Sequence, residues 1–415
     1  MSPVLPFEII ALIIDIVGED KDADLLKELA LVSHPFLQIC SKHLFATIVL
    51  HDSDPTRHVA SSKKRFVELL KSRPEVVKYI RKLTYKTDDN DCYTHPFFDN
   101  DDEKLTPILS KFLRTISLLN YLKIDSSKFS TDSTTDWNKL KSSLTSAFLH
   151  LMHLPTLYHI DISFMSHFPL FSLASNCVNL HQLDILRTFF KKYENEGSFE
   201  IAQSEATPEI REFNTMDSSI AKLLHAKRQD GRRAFNFTNL RRLSMSFAWS
   251  EDERNLRFLL QNAKLLESLH LLVRPNWSLV RLHDILSPIA RTLKILHLSV
   301  PLHSVRPGVL CEDLEAMAGH NVLETLSCEI RVIRGLNHDA KDFIGSTFQN
   351  MGKVLVKPGW SALRQVSFHV SFRENHPLPE DLVEFCEELQ SLPDGYLSHL
   401  SKLESVAFNY SASLI

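Results

Sequence analysis

Most of this chain is patterned by one six-residue arrangement, apolar-x-x-apolar-x-apolar. It occurs as IRKLTY (80–85), LNYLKI (119–124), LYHIDI (157–162), LHQLDI (180–185), LRRLSM (240–245), LESLHL (266–271), LKILHL (293–298), LETLSC (323–328), LRQVSF (363–368) and LESVAF (403–408). Within each copy the last apolar positions alternate, as in a strand buried on one face. Between copies the period lengthens to that of a helix: Leu256, Leu259, Leu260 and Ala263 share one face, as do Leu382, Phe385 and Leu389. Acidic residues follow Ser250 in "SEDERNLRFLLQN", which suits a helix N-terminus. The repeated unit is strand, turn, helix, turn, so the expected fold class is α/β with the repeat domain spanning 75–415.

The strand pattern predicts which side chains avoid the core. Reading the last eight copies, the middle residue gives a column of Asp161, Asp184, Ser244, His270, His297, Ser327, Ser367 and Ala407. Two residues further on, the column is Ser163, Leu186, Ser246, Leu272, Ser299, Glu329, His369 and Asn409. Polar columns support this register, since a slip by one residue would fill them with Leu and Ile. In these columns His270, Leu272, His297, Glu329 and His369 are the candidates for contacting another protein, Leu272 as an apolar anchor among polar groups. His270 beside His297 has no clear third metal ligand, so no metal site is expected.

Two stretches break the pattern. A polar insertion is expected around residues 190–234, including the basic run "HAKRQDGRR", and an acidic excursion at 86–104. Residues 51–74 are expected to be a connecting helical segment.

The first 50 residues differ. Pro6 stands where a helix can begin at no cost to hydrogen bonding. Ile9, Ile10, Ile13, Ile14 and Val17 form a broad apolar face, Leu25, Leu26, Leu29, Leu31 and Val32 a second segment, and Phe36, Ile39, Cys40, Leu44, Phe45 and Ile48 a third. Three short helices cannot hide so much apolar surface by themselves, so part of it is expected to face a partner. The block does not read as a secretory leader, because Glu8 and Asp15 interrupt it and no Lys or Arg precedes it.

Composition narrows the rest. The chain has 415 residues, 44% of them hydrophobic, and a formal net charge of -4, which excludes a disordered chain and gives no general attraction to nucleic acid or an anionic membrane. No apolar stretch approaches the length of a spanning helix, so an intracellular chain, cytoplasmic or nuclear, is expected. Its six cysteines are scattered without a C-x-x-C pair and read as reduced core thiols. With only 10 glycines there is no phosphate-cradling loop, and no nucleophile elbow, H-E-x-x-H or dinucleotide fingerprint is present. No catalytic residues and no cofactor are therefore expected.

The repeats resemble the leucine-rich repeat, although the family's turn asparagine is replaced by Ala248, Arg274 and Ser411 in three copies. That resemblance implies a solenoid with parallel strands on a concave face and helices on the convex one. The N-terminal "LPFEII", "DLLKELALVSHPF" and "HLFATIVL" resemble an F-box of the fungal type, in which Trp often stands at the place of Phe36. This resemblance implies a three-helix domain over residues 1–50 that docks on a Skp-type adaptor, and through it on cullin and RING subunits. Leu5, Pro6, Ile9, Ile10, Leu31, Val32 and Phe36 are then the adaptor-facing candidates. The implied role is substrate recognition for a ubiquitin ligase. The alternative is a repeat scaffold whose N-terminal helices merely cap the array.

Overall fold

The computed structural model describes residues 6–20, 22–51, 62–87, 101–126, 134–170, 173, 177–190, 207–216, 218, 220–228, 231–247, 250–274, 281–302, 307–332, 339–372, 390 and 406–414. The chain divides into two compact units: residues 1–208 with 225–235, and residues 209–224 with 236–415.

The first unit opens with three helices, α1 (Phe7–Glu19), α2 (Ala23–Ala30) and α3 (His34–Leu44). Their starts are set locally. Asp22 accepts from the Leu25 N–H at 3.0 Å, and Ser33 accepts from the Phe36 N–H at 3.4 Å with Pro35 in the first turn. Ile14, Leu26 and Cys40 form the centre of the bundle, and Ile10, Val17, Leu29, Phe36, Ile39 and Leu44 pack around it. Asp15 joins α1 to α3 through Lys42 at 2.8 Å and His43 at 2.7 Å.

The segment after α3 departs from the sequence expectation. Ile48 is not helical but lies in β1 (Thr47–His51), which pairs in parallel with β2 (Lys82–Lys86), so the expected boundary at residue 50 falls inside a strand. The register explains the difference: Phe45-x-x-Ile48-x-Leu50 is a copy of the repeat motif, with Ile48 opposite Leu83 and Leu50 opposite Tyr85.

The sheet continues in parallel through β3 (Tyr121–Asp125), β5 (His159–Ser163) and β7 (Gln182–Leu186). Two-residue strands β4 (Thr135–Asp136) and β6 (Met165–Ser166) pair separately. Helices α4 (Ser62–Ser72), α5 (Asp101–Leu113) and α6 (Ser142–Met152) lie between the strands in sequence. The acidic excursion expected at 86–104 is thus shorter, since 101–104 already belong to a helix; residues 88–100 lie outside the described residues. One sheet face buries Leu83, Tyr85, Leu122, Ile124, Ile160 and Ile162, and Tyr85 meets Phe148 of α6 edge to face at 5.1 Å.

In the second unit seven strands run in parallel: β8 (Glu212–Met216), β9 (Arg242–Phe247), β10 (Ser268–Val273), β11 (Ile295–Pro301), β12 (Thr325–Val332), β13 (Gln365–Phe372) and β14 (Ala407–Leu414). Strand β8 falls within the expected polar insertion. Ile210, Phe213 and Thr215 are buried at the three motif positions, and the Thr in the last of them conceals the repeat in the sequence. Helices at Ser250–Asn262, Leu282–Leu286, Pro307–Met317 and Asp339–Leu355 follow successive strands. Phe348 of the last stacks on Phe368 of β13 at 4.6 Å.

Both units are solenoid-like α/β arrangements, and one main-chain device recurs at strand entry. In the first unit Arg81, Asn120, Tyr158 and His181 donate their N–H groups to the carbonyls of Ala46, Arg81, Asn120 and Tyr158. In the second, Arg241, Glu267, Lys294, Glu324, Arg364 and Ala407 donate to Arg211, Arg241, Glu267, Lys294, Glu324 and Arg364.

The final copy is displaced by two residues from its expected register. Asn409, not Ala407, stands opposite Ser367, and Ser411 opposite His369. A two-residue slip keeps every side chain on its own face, so alternation alone cannot detect it. The helical face at Leu382, Phe385 and Leu389 lies outside the described residues. Cys40, Cys177, Cys311 and Cys328 are free thiols, and burial pushes Cys177 up to about 12. Among the described residues no helix is long and apolar enough to cross a membrane.

Candidate functional site

Helix α1 is apolar on two sides. Ile10, Ile14 and Val17, spaced by four and three, face the helical core. Ile9, Leu12, Ile13 and Ile16, spaced by three, one and three, form a second stripe that is exposed, and Phe7 of the same helix and Leu25 of α2 are exposed as well. Leu31 and Val32, in the turn after α2, are 88% and 64% exposed. A run of exposed aliphatic side chains along one helix face marks an interaction surface more than a folded core.

The adaptor-facing candidates divide accordingly. Ile9, Leu31 and Val32 are exposed, and so is Pro6, which sits at the N-cap of α1. Ile10 and Phe36 pack on the helical core instead, and Leu5 lies outside the described residues. Leu12, Ile13 and Ile16 belong to the exposed stripe but were not among the candidates. Their signal was present in the sequence, because they share helical spacing with Ile9.

The second surface is the sheet face in the second unit that turns away from the buried apolar positions. Register places Asn214, Ser244, His270, His297, Ser327, Ser367 and Asn409 in one stripe across seven strands. The His270 and His297 rings meet edge to face at 4.2 Å, and Ser244 Oγ lies 3.4 Å from His270 Nδ1. Burial, with His297 adding to it, pushes His270 down to about 4. Burial also lowers His297. At neutral pH both imidazoles are uncharged.

Beside this stripe, Leu272, Ser299, Glu329, His369 and Ser411 occupy the next column. Ser299 and Ser371 each donate a hydroxyl to Glu329 at 2.6 Å. Burial alone would raise the Glu329 carboxyl, but these two hydroxyls, with Arg331 and His369, outweigh it and hold it below its ordinary value. Arg331 donates to the carbonyl of Val273, two strands away. His369 has Ser411 Oγ 2.7 Å from Nδ1 and Ser413 Oγ 3.1 Å from Nε2. The structure therefore brings all five expected contact residues onto one face, with His270, Leu272 and His297 adjacent and Glu329 and His369 following on β12 and β13. Ile295, exposed on β11 two residues before His297, belongs to a third column of the same face, outside the two columns of the sequence expectation.

The first unit's sheet face is charged. Lys123 Nζ lies 2.8 Å from Asp161 and 3.8 Å from Asp125, while His159 Nε2 lies 2.8 Å from Asp184. Burial works against the Lys123 ammonium, yet the bond to Asp161 and the neighbouring aspartates raise it above its ordinary value. Just beyond β5 and β7, Phe164 and Arg187 both adopt left-handed backbone, φ 58° and 46°, and the Arg187 guanidinium sits 5.5 Å from the Phe164 ring centroid. Among the described residues no group of three or more His, Cys, Asp or Glu side chains is arranged to hold a metal ion.

No family model matches the chain, and no curated protein matches it.

Proposed function

We propose that this chain is a substrate-recognition subunit of a Skp-cullin-F-box ubiquitin ligase, docking a Skp-type adaptor through α1 and α2 and a protein substrate through the sheet face of the second unit. The observation that carries the reading is the second apolar stripe of α1, Ile9, Leu12, Ile13 and Ile16, left exposed together with Leu31 and Val32. Covering such a surface gains about 25 cal/mol for each Å² of apolar area removed from water, which favours association without any buried charge. Ubiquitin chemistry would then occur on other subunits, and this chain would contribute binding and position.

Co-purification from the source cells is the test. The wild-type chain is expected to bring a Skp-type adaptor with it. Ile9→Asp or Leu31→Asp should abolish retention while leaving the folded chain intact, because both side chains already face water. A clean preparation lacking the adaptor would overturn the ligase reading and leave a repeat scaffold with a helical cap.

A further inference from the structure

The stripe across the second unit carries no permanent charge at any of its seven positions. This contrasts with the corresponding column of the first unit, where Lys123, Asp161 and Asp184 stand on successive paired strands. The formal charges flanking the stripe are already engaged: Arg242 pairs with Glu212 on one side, and on the other Glu329 accepts from two serines and Arg331 donates to a main-chain carbonyl. A ligand carrying net charge would find no opposite charge in the stripe itself. Main-chain amides are neutral, and each offers one donor and one acceptor, which is what Asn, Ser and neutral His can meet.

The apolar side chains nearby give this surface a direction. Leu272 lies two residues beyond His270 on β10, and Ile295 lies two residues before His297 on β11. They therefore flank the imidazole pair on opposite sides of the stripe. An extended chain laid across the strands, with N–H and C=O groups aimed at the stripe, throws successive side chains to opposite sides. One would reach Leu272 and the next Ile295.

We propose that the stripe binds an extended, uncharged segment of a partner protein, laid across the strands, with two consecutive apolar residues set against Leu272 and Ile295. Seven strands at about 4.8 Å spacing span about 29 Å, the length of about nine extended residues at about 3.3 Å each. This deepens the substrate half of the receptor reading and rests on it for the choice of surface.

The experiment screens the full-length chain near neutral pH against an array of peptides about nine residues long. Charge content and the position of adjacent apolar pairs are varied independently. Retained peptides should lack Asp, Glu, Lys and Arg and carry a central apolar pair. N-methylation of the central amide should weaken a retained peptide by about tenfold or more, a test needing no protein variant. His297→Asp should weaken it similarly, whereas His297→Asn should bind within about threefold of wild type. Selection of charged peptides, no retained peptide, indifference to N-methylation, or unchanged binding by a folded His297→Asp chain would each overturn the proposal. Adaptor retention is measured on the same preparations. Peptide selection without the adaptor overturns the ligase reading and supports this inference, and the reverse result overturns this inference alone.

Discussion

His43 occupies the space that a side chain on Gly18 would need: a Cβ built there would lie 2.2 Å from the imidazole Nδ1. The ring is held in that place by its 2.7 Å contact from Nε2 to Asp15, and it fits against α1 there because residue 18 is glycine. Gly18→Ala is expected to destabilise the helical bundle by about 1–3 kcal/mol, as overpacking does. Adding His43→Ala should recover part of that loss. Chemical denaturation of the two single variants and the double variant measures the coupling, and strict additivity would refute the steric account.

Neighbouring residues on α1 should behave oppositely. Ile14 is buried in the helical core and Ile13 is exposed on the outer stripe. Ile14→Asp should destabilise the bundle by about 3–5 kcal/mol by burying a charge without a partner. Ile13→Asp should change stability by less than about 0.5 kcal/mol while removing adaptor retention. Thermal melting combined with co-purification separates the two effects.

The neutral His270 imparts an acid dependence of known sign. Its ordinary value is 6.5 and its value in the fold is about 4, so between these pH values the unfolded chain binds a proton that the folded chain does not. Its contribution is complete above about pH 6.5, declines by up to about 1.4 kcal/mol per pH unit as pH falls, and levels off near pH 4. His270→Asn should flatten this part of the stability profile. Urea titrations of wild type and variant at several pH values would show it as a stability difference that changes with pH.

Glu329 is bound by hydroxyls from both neighbouring strands, Ser299 on β11 and Ser371 on β13. Glu329→Ala leaves both buried hydroxyls without that acceptor and should cost about 1–3 kcal/mol. Glu329→Gln keeps an oxygen for one of them and should cost less. Its carboxyl is held below its ordinary value, so its own contribution is present above the unfolded value and is lost as pH falls through the lower folded value. Equal losses from the two substitutions would argue against the bridging role.

The repeat pattern made the strands legible from IRKLTY to LRQVSF because first, fourth and sixth positions enter the core together, as Leu240, Leu243 and Met245 do. It failed where a copy resembled something else. The copy ending in Ile48 and Leu50 follows directly on α3 and reads as a continuation of that helix, and the copy at 210–215 ends in Thr215. The column through His270 and His297 was legible for the same reason as the strands. The orientation of α1 was not, since Ile10, Ile14 and Val17 and the stripe from Ile9 to Ile16 are both periodic, and only contact with α2 and α3 decides which turns inward.

The ladder at strand entry uses N–H and C=O groups alone, and the residues supplying it include Ala46, Arg81, Asn120, Tyr158, Glu267 and Lys294. Alignment of one repeat on the next is therefore transmitted by atoms that every one of these residues possesses. Small, aromatic, acidic and basic side chains are interchangeable there as far as the ladder is concerned. A chain built in this way can drift far in residue identity without losing the instruction that stacks it, because that instruction is written in the spacing of main-chain bonds and not in the letters of its sequence.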